Sequence, residues 1–400
     1  MSTRPELVFV AAQRTPFGAF GGSFAGQTAV DLATHAAVAT LKAGKISPED
    51  IDATVFGNVI QSCPDAAYMA RHVGLRAGVP IDRPALTVNR LCGSGFEAIV
   101  QGAYLILNGE ARTVLVGGSE NMSETPFVLR GARWGYRMGN GELEDLLSSG
   151  LTDSYVNLPM AITAENLAVQ YGFSRIDVDT FALQSQKRAA AAWAENIFKN
   201  EISPVTLQGR KGETIVAKDE HFRLDSSMEG LAKLKPVFKK DGVVTAGNAS
   251  GITDGAAALI LTTAEVAKAK GWTVLGKLKS WASRGCDPKI MGIGPVPATH
   301  AAMATFEKNF GKKISIADFK RVEVNEAFAA QFLAVEKELK LNRDKTNIHG
   351  GAIALGHPLA ASGARLVAHL LHTLPAQGGG LGLASACIGG GQGMSVIVEV

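Results

Sequence analysis

Two stretches of this 400-residue chain repeat each other, which predicts a fold made of two similar halves. Residues 34–41 read THAAVATL and residues 299–306, 265 positions later, read THAAMATF. A short loop follows each stretch, and then ISPEDI at 46–51 corresponds to ISIADF at 314–319. The next corresponding segments, ATVF and RVEV, are both typical of strands. Three elements in the same order indicate a duplication.

Each half alternates helical and strand-like segments around a glycine-bearing turn. In the first half a strand-like run at 85–88 precedes a turn, and helical periodicity then extends to Leu107. In the second half a glycine-rich turn precedes a helical segment that begins near Ala360, and strand-like runs follow it. Such alternation predicts an α/β fold in which helices cover sheets.

The part of the chain between the halves has a different character. It is richer in charged and aromatic residues and contains a capped helix that begins near Ser174. We interpret it as an insertion that lies over the first half. The predicted division is an N-terminal half at 1–121 plus 249–273, an inserted loop domain at 122–248, and a C-terminal half at 274–400.

Charge and cysteine content exclude several classes of protein. A net charge of +3 is too small to favour nucleic-acid binding. The four cysteines are far apart without a CxxC pair, which is typical of reduced thiols in an intracellular protein. No run of 18 apolar residues predicts a membrane span, and the N-terminus has no secretory apolar region. Histidine and cysteine spacing predicts no metal site, and neither GxGxxG in a dinucleotide-binding context nor GxxxxGK[ST] occurs.

Cys92 is the first candidate nucleophile. It lies in NRLCGSG at 89–95, after a strand-like run and at the start of a predicted helix. Backbone N–H groups and the helix dipole at that position are expected to lower the pKa of the thiol from its ordinary value of about 8.5. The alternative is a buried cysteine that packs as a small apolar residue.

His357 is the matching candidate base. It lies in GGAIALGHP at 350–358, again a glycine-rich turn before a helix, and 265 residues after Cys92. Because the repeat has the same offset, a pseudo-twofold axis would place imidazole and thiol at equivalent helix starts. Cysteine and histidine together are the minimum for an activated sulfur nucleophile. A purely structural histidine is the alternative.

Two further side chains come from the second half. Cys387 lies in CIGGGQG at 387–393, a glycine-rich turn that offers few side chains for packing. The N–H groups of Gly389 and its neighbours could form an oxyanion hole. Asn325 stands where a strand ends and a helix begins, so it could hold a water or a carbonyl oxygen, or simply cap the helix.

Five segments together resemble the thiolase family over essentially the whole chain: NRLCGSG, TAGNASG, VNEAFA, GGAIALGHP and CIGGGQG. The full-length sequence is most similar to the mitochondrial type of 3-ketoacyl-CoA thiolase, or acetyl-CoA acyltransferase. The resemblance implies a five-layered αβαβα fold of two pseudo-twofold halves with an inserted loop domain. It also implies thiolytic cleavage of 3-ketoacyl-CoA, as in fatty acid β-oxidation.

By the same resemblance, Cys92 attacks the substrate, His357 is its base, and Cys387 is the acid for the leaving enolate. Asn325 and His357 would form one oxyanion hole, and the N–H groups of Cys92 and Gly389 the other. Acyl-CoA and CoA are the implied partners, with CoA a substrate and no separate cofactor. A homodimer or homotetramer is implied, in the mitochondrial matrix of a eukaryote or otherwise in the cytoplasm.

The resemblance also implies which side chains line the CoA and acyl channel. They are Arg223, Ser250, Phe238, Met160 and Phe328.

Two positions depart from the family pattern. Pro159 replaces a histidine that short-chain acetoacetyl-CoA thiolases carry, which favours longer acyl groups. His349 replaces the usual asparagine before Gly350, where it could bond to the backbone or perturb His357.

The alternative activity is that of an acetoacetyl-CoA thiolase, in cleavage or condensation. A non-catalytic acyl-CoA-binding relative is disfavoured because Cys92, Asn325, His357 and Cys387 are all present.

Overall fold

The computed structural model describes residues 5–209 and 212–400. Its strands are β1 Leu7–Arg14, β2 Gly18–Ala19, β3 Ala53–Gly57, β4 Ala85–Val88, β5 Thr113–Glu120, β6 Phe127–Leu129, β7 Leu143–Asp145, β8 Thr152–Asp153, β9 Leu158–Pro159, β10 Val205–Gly209, β11 Gly212–Val216, β12 Thr253–Thr263, β13 Gly276–Gly285, β14 Phe319–Val324, β15 Leu381–Ile388 and β16 Gln392–Glu399. Its α-helices are α1 Ala29–Gly44, α2 Met69–Arg76, α3 Ser94–Leu107, α4 Leu146–Gly150, α5 Met160–Tyr171, α6 Arg175–Ala194, α7 Met228–Ala232, α8 Ala264–Lys270, α9 Pro295–Phe310, α10 Ala329–Leu339, α11 Ala352–Leu355 and α12 Leu359–Thr373.

The sequence repeat corresponds to a structural repeat. Helices α1 and α9, which contain the two THAA stretches, are both 16 residues long. Each is followed by a 3₁₀ turn and then by β3 or β14. Helices α3 and α12 and the parallel strands β5 and β15 come next in the same order. The predicted duplication is confirmed.

The sheets and helices form five layers. Strands run in the order β14-β15-β16-β13-β1-β12-β5-β3-β4, and a short antiparallel contact between β1 and β13 joins the two halves. Helices α3 and α12 pack against each other and against strands of both halves in one shared apolar core. Helices α1 and α2 cover the outer face of the first half, and α9 and α10 cover that of the second. This is the predicted αβαβα arrangement.

Side-chain caps fix where some of these helices begin. Thr28 forms a capping box with Asp31 at the start of α1. Ser174 forms another with Asp177 at the start of α6, as the sequence predicted. Helix α3 has no such side-chain cap, because its N-cap residue is Gly93. No capping side chain therefore occupies the helix start that follows Cys92.

Residues 122–248 contain the short hairpins β6–β7, β8–β9 and β10–β11 together with helices α4 to α7. Helix α6 packs against α10 and α11 of the second half. The expected boundary after residue 273 falls in the connection between α8 and β13. Within residues 5–209 and 212–400, no helix is both long enough and apolar enough to cross a membrane.

A buried ion network ties the insertion to both halves. Arg14 on β1 donates to Glu201 at 2.8 Å and, through two nitrogens, to Asp219 at 2.7 and 3.0 Å. His369 on α12 donates through Nδ1 to the other oxygen of Glu201 at 2.6 Å. Burial alone would raise the pKa of Glu201, but the charges of His369 and Arg14 outweigh it and hold the pKa far below its ordinary value.

His349 belongs to this network and does not contact His357. Its Nδ1 lies 3.2 Å from an Arg321 nitrogen and 2.9 Å from His369 Nε2. Because arginine can only donate, His349 Nδ1 is an acceptor and His369 Nε2 donates to it. Burial, followed by the charge of His369, lowers the pKa of His349 to about 3, which agrees with a neutral acceptor.

We expect Glu201→Gln to destabilise the fold by about 3–5 kcal/mol at neutral pH, because Arg14 and His369 lose a shared buried counter-charge. A carboxylate with a depressed pKa stabilises the fold fully above its unfolded pKa of about 4.3, and less as pH falls below that. The stability difference between wild type and variant should therefore shrink below about pH 4. Unfolding curves from pH 8 to 3 measure it, with the exposed Glu49→Gln as the control. A difference that grows in acid would contradict the argument.

Candidate active site

Cys92 lies in a tight, strained turn between β4 and α3. Leu91 has a positive φ of 48°, a rare conformation for a bulky side chain. Asn89 Oδ1 accepts from the Leu91 N–H at 2.9 Å, and the Ser94 hydroxyl donates to the Leu91 carbonyl at 2.7 Å. A Cβ atom at Gly93 would lie 2.4 Å from Ile388 Cδ1 of the second half, so any side chain here would force Ile388 to move. The turn holds Cys92 against the opposite half.

The expected lowering of the Cys92 pKa is wrong. Burial raises the pKa of the Cys92 thiol to about 11, and the charge of Glu120 adds to this. The N–H groups of Gly389 and of Cys92 itself act in the opposite direction but are outweighed. Although Cys92 is only half-buried as a residue, its sulfur packs beside Ile60 and Leu359, where a charge is poorly solvated. Cys92 is therefore a neutral thiol in the resting site.

His357 is fixed in the connection between α11 and α12. Its backbone N–H donates to the Gly251 carbonyl at 3.0 Å. The Ser362 hydroxyl donates to the Pro358 carbonyl at 3.0 Å, so it accepts from His357 Nδ1 at 2.5 Å. The proton on Nδ1 leaves a lone pair on Nε2, which accepts from Asn325 Nδ2 at 3.3 Å. This is the tautomer that a base acting through Nε2 requires.

The imidazole of His357 is held neutral. Burial, followed by the positive charge of Arg365, lowers the pKa of His357 to about 3. With Cys92 a thiol and His357 neutral, the resting pair is not a thiolate–imidazolium pair. The thiol proton must then move to His357 during attack on a substrate rather than before it.

Cys387 differs from the sequence-based expectation. It is the seventh residue of β15 rather than part of the turn, and it is completely buried. It pairs with Gly393 across the β15–β16 hairpin and packs in an apolar cluster with Met291 and Ala327. Burial, followed by the nearby Cys92 and Cys286 sulfurs, raises the pKa of Cys387 well above its ordinary value. A thiol that keeps its proton is suited to act as an acid.

The contacts join these groups into one site. The N–H group of Gly389, two residues after Cys387, lies close enough to the Cys92 sulfur to act against the raised pKa of the thiol. The Asn325 N–H donates to the Ser385 carbonyl on the same strand at 2.9 Å, and the Asn325 side chain bonds to His357. Asn325 Oδ1 is buried without a hydrogen-bond partner in the protein, so it can accept from a bound water. Contacts therefore connect Asn325 with His357, and Cys387 with Cys92 across the two halves.

The proposed channel residues divide into two groups. Met160, the first residue of α5, lies 3.4 Å from a Cβ built on Gly389, and Phe328 packs with it beside Cys387. The Ser250 N–H donates to the Ala327 carbonyl at 2.9 Å, which places it next to Phe328. Arg223 and Phe238 are exposed on the insertion.

Sequence reasoning missed Ser362 and Glu120. Ser362 follows His357 by five residues in HPLAAS, where a hydroxyl in the first turn of a helix can reach back to the imidazole, so a signal was present. Glu120 stands in GGSEN at the end of β5, and nothing local distinguishes it. Among the described residues, no group of three or more His, Cys, Asp or Glu side chains is arranged to hold a metal ion.

Comparison with family models agrees with the geometry. The model of the thiolase N-terminal domain matches residues 7–265, and that of the thiolase C-terminal domain matches residues 272–400. The chain belongs to the thiolase family. Both halves of the site, and each of its four candidate catalytic side chains, fall within the matched regions of this thiolase.

Individual relatives cover the thiolase almost completely. The mitochondrial 3-ketoacyl-CoA thiolase of Bos taurus is 54% identical over 394 residues, which are 98% of each chain. The acetyl-CoA acetyltransferase of Chromobacterium violaceum is 47% identical over 98% of this chain and 99% of its own. The crystal structure of human mitochondrial 3-ketoacyl-CoA thiolase in complex with CoA is 51% identical, with a TM-score of 0.95, and the match covers 100% of this chain and 99% of that one.

Proposed function

We propose that this thiolase is a 3-ketoacyl-CoA thiolase. It would cleave 3-ketoacyl-CoA with CoA to acetyl-CoA and an acyl-CoA two carbons shorter. Two observations support the proposal most: the Cys387 and Cys92 sulfurs lie near each other across the halves, and Asn325 bonds to His357. Carbon–carbon cleavage needs a nucleophile with a base and also an acid for the carbanion, and this set supplies all of them.

In the first half-reaction the Cys92 sulfur attacks the 3-keto carbon while its proton moves to His357 Nε2. The N–H groups of Cys92 and Gly389 stabilise the tetrahedral oxyanion. When the C2–C3 bond breaks, its electron pair forms the enolate of acetyl-CoA, and Cys387 protonates the C2 carbon. His357 and a water held by Asn325 stabilise the enolate oxygen, and the acyl group remains on Cys92 as a thioester.

In the second half-reaction a new CoA thiol attacks the Cys92 thioester. The Cys387 thiolate left by the first step takes the CoA proton, with His357 assisting. Collapse of the tetrahedral intermediate expels Cys92 as the leaving thiol, and His357 returns its proton. The cycle is a ping-pong reaction in which the Cys387 proton leaves on acetyl-CoA and is replaced by the proton of the incoming CoA thiol. Every side chain thus ends in its starting protonation state, and no cofactor other than the CoA substrate is required.

The insertion is the proposed binding region for CoA. Arg223 and Phe238 are exposed there, and a guanidinium suits a phosphate while an aromatic ring suits the adenine face. Ser250, Met160 and Phe328 connect that surface with the thiols along the proposed pantetheine and acyl path. The 51% identical human enzyme, solved with CoA, supports this assignment.

We propose that the protein acts in fatty acid β-oxidation, in the mitochondrial matrix of a eukaryote or the cytoplasm of a bacterium. A homodimer through the sheet edge is favoured because β4 ends the strand order and exposes Leu86. Pairing of dimers into a tetramer would cover the apolar hairpin β6–β7, where Trp134 and Met138 are 87% and 97% exposed. Light scattering after size exclusion measures the assembly, and a monomer would contradict it.

Steady-state thiolysis over acyl chains of four to sixteen carbons tests the substrate. We expect turnover of several lengths above four carbons, because Pro159 stands where short-chain enzymes carry a polar histidine beside Met160. The apolar side chains of Leu91 and Met160 lie beside Gly389, where they offer an acyl group no polar contact. Absence of thiolysis at every length would refute the function.

The second candidate is an acetoacetyl-CoA thiolase, which uses the same groups for cleavage or condensation. The acetyl-CoA acetyltransferase of Chromobacterium violaceum, 47% identical over nearly the full length, favours it. The same chain-length series separates the two. A strict preference for the four-carbon substrate would select this alternative.

A further inference from the structure

Glu120 is a carboxylate that is completely buried at the end of β5, and the reaction described above does not use it. One of its oxygens accepts from Ile60 N at 3.0 Å and Asn58 Nδ2 at 3.3 Å. The other accepts from Val59 N at 3.2 Å and Ala360 N at 3.2 Å. Four N–H donors therefore converge on one side chain, three from the first half and one from the second.

These donors lead to both members of the proposed catalytic pair. The Val59 carbonyl accepts from Asn89 Nδ2 at 3.0 Å, and Asn89 in turn holds the Leu91 N–H in the strained turn before Cys92. The Val59 and Ile60 side chains pack in the same apolar cluster as Cys92.

On the other side, Ala360 is the second residue of α12, and α12 begins two residues after His357. Glu120 thus connects the nucleophile turn to the helix that fixes the base, across the boundary between the halves.

We propose that Glu120 is a positioning residue of the thiolase reaction. Its carboxylate aligns the Cys92 turn with the His357 helix and places a negative charge near the thiol. This rests on the proposed function only for its effect on turnover. The charge effect concerns the thiol itself and can be measured without any substrate.

The electrostatic surroundings of Glu120 support this role. Burial raises the pKa of Glu120 to about 7, while the N–H donors of Ile60, Ala360 and Val59 oppose the shift. Asp254 on β12 is the other charged group whose field raises the pKa of Glu120. The charge of Glu120 contributes to the raised pKa of Cys92. Above about pH 7 the carboxylate is charged and adds to the effect of burial, which is the larger cause of the raised pKa of Cys92.

Glu120→Gln removes the charge and also turns an NH₂ group toward one pair of N–H donors, so it changes both the charge near the thiol and the alignment of the two halves. We expect the pH profile of Cys92 alkylation by iodoacetamide to shift about one pH unit lower, so that alkylation at pH 9 is about tenfold faster. Turnover should nevertheless fall about 10²-fold, since small misplacements of reacting groups have effects of that size. General loosening of the site would also speed alkylation and slow catalysis, so the comparison with Glu120→Asp, which keeps the charge, separates the two causes.

Asp52→Asn is the matched control. Asp52 also accepts from two backbone N–H groups, those of Arg112 and Thr113, but at the far end of β3 and β5 from Cys92. It should leave the alkylation profile of Cys92 unchanged. Glu120→Asp keeps the charge but shortens the reach, so it should retain the wild-type profile and still lose turnover. If Glu120→Gln does not fold, the turnover of Glu120→Asp still tests the positioning role.

Mapping by mass spectrometry assigns the alkylation to Cys92. An unshifted Cys92 profile in Glu120→Gln, an equal shift in Asp52→Asn, or full turnover in Glu120→Asp would each overturn the proposal. Failure of thiolysis in the wild-type protein would refute the proposed function but would leave the alkylation result readable.

Discussion

Cys92→Ser should reduce thiolysis by at least about 10⁴-fold and abolish the acyl-enzyme. A hydroxyl holds its proton far more tightly than a thiol, and the neutral His357, with a pKa of about 3, is a weak base for it. Burial already raises the pKa of the Cys92 thiol to about 11. The native site therefore favours deprotonation of the nucleophile only weakly, and a serine hydroxyl is harder still to deprotonate. Steady-state rates and intact-protein mass spectrometry after incubation with 3-ketoacyl-CoA measure both effects.

Cys63→Ser is the control for this variant. Cys63 is half-buried and donates to Asp65 at 3.1 Å, and it has no contact with His357 or Cys387. It should keep wild-type turnover and the added acyl mass. Retention of thiolysis within tenfold in Cys92→Ser, or an acyl group mapped to another cysteine, would contradict the role of Cys92.

The layered fold could be predicted because its main signal is a repeat. The THAA stretches at residues 34 and 299 became α1 and α9 of equal length, and the order of the following elements is the same in both halves. The cap at Ser174 fixed the start of α6 from local sequence alone. Periodicity and capping depend on neighbours in the chain, which the sequence displays directly.

The pairing of Cys92 with His357 is itself a prediction from the sequence, because their offset equals that of the repeat. The proton affinity of the thiol could not be predicted. A helix start favours a thiolate locally, but Leu359 and Ile388 of the other half pack around the Cys92 turn, and their burial effect is larger. Cys387 was placed in a turn because three glycines follow it, whereas pairing with Gly393 extends β15 through it.

The proposed role of Glu120 could likewise not be predicted from the sequence. Its importance depends on Ala360, which lies 240 positions away and bonds to it only after the two halves meet. His349 was noticed as a departure, but its contacts with His369 and Arg321 are likewise tertiary. Local sequence patterns predicted which helices and strands form and which side chains are candidates for catalysis. The protonation state of those side chains depends on the groups that pack around them when the chain folds.

Cys387→Ala should reduce thiolysis by about 10²–10⁴-fold while Cys92 can still be acylated by a reactive aryl thioester. The nucleophile, its base and the N–H groups of Gly389 and Cys92 remain, so attack and loss of a good leaving thiol need no further acid. Breaking a C–C bond leaves a carbanion that must be protonated, and the variant has no buried thiol to do so. Burst labelling by the aryl thioester, compared with steady-state thiolysis, measures the two steps separately.

Cys286→Ala removes a neighbouring thiol whose sulfur also influences the pKa of Cys387, and it serves as the matched control. Cys286 is half-buried and bonds weakly to the Met291 carbonyl, outside the proposed path of the proton, so both rates should stay near those of the wild type. Equal losses of acylation and thiolysis in Cys387→Ala would indicate a packing defect instead of a missing acid. A selective loss of thiolysis would assign the two thiols to different steps, because one group cannot be acylated and protonate the enolate at the same time.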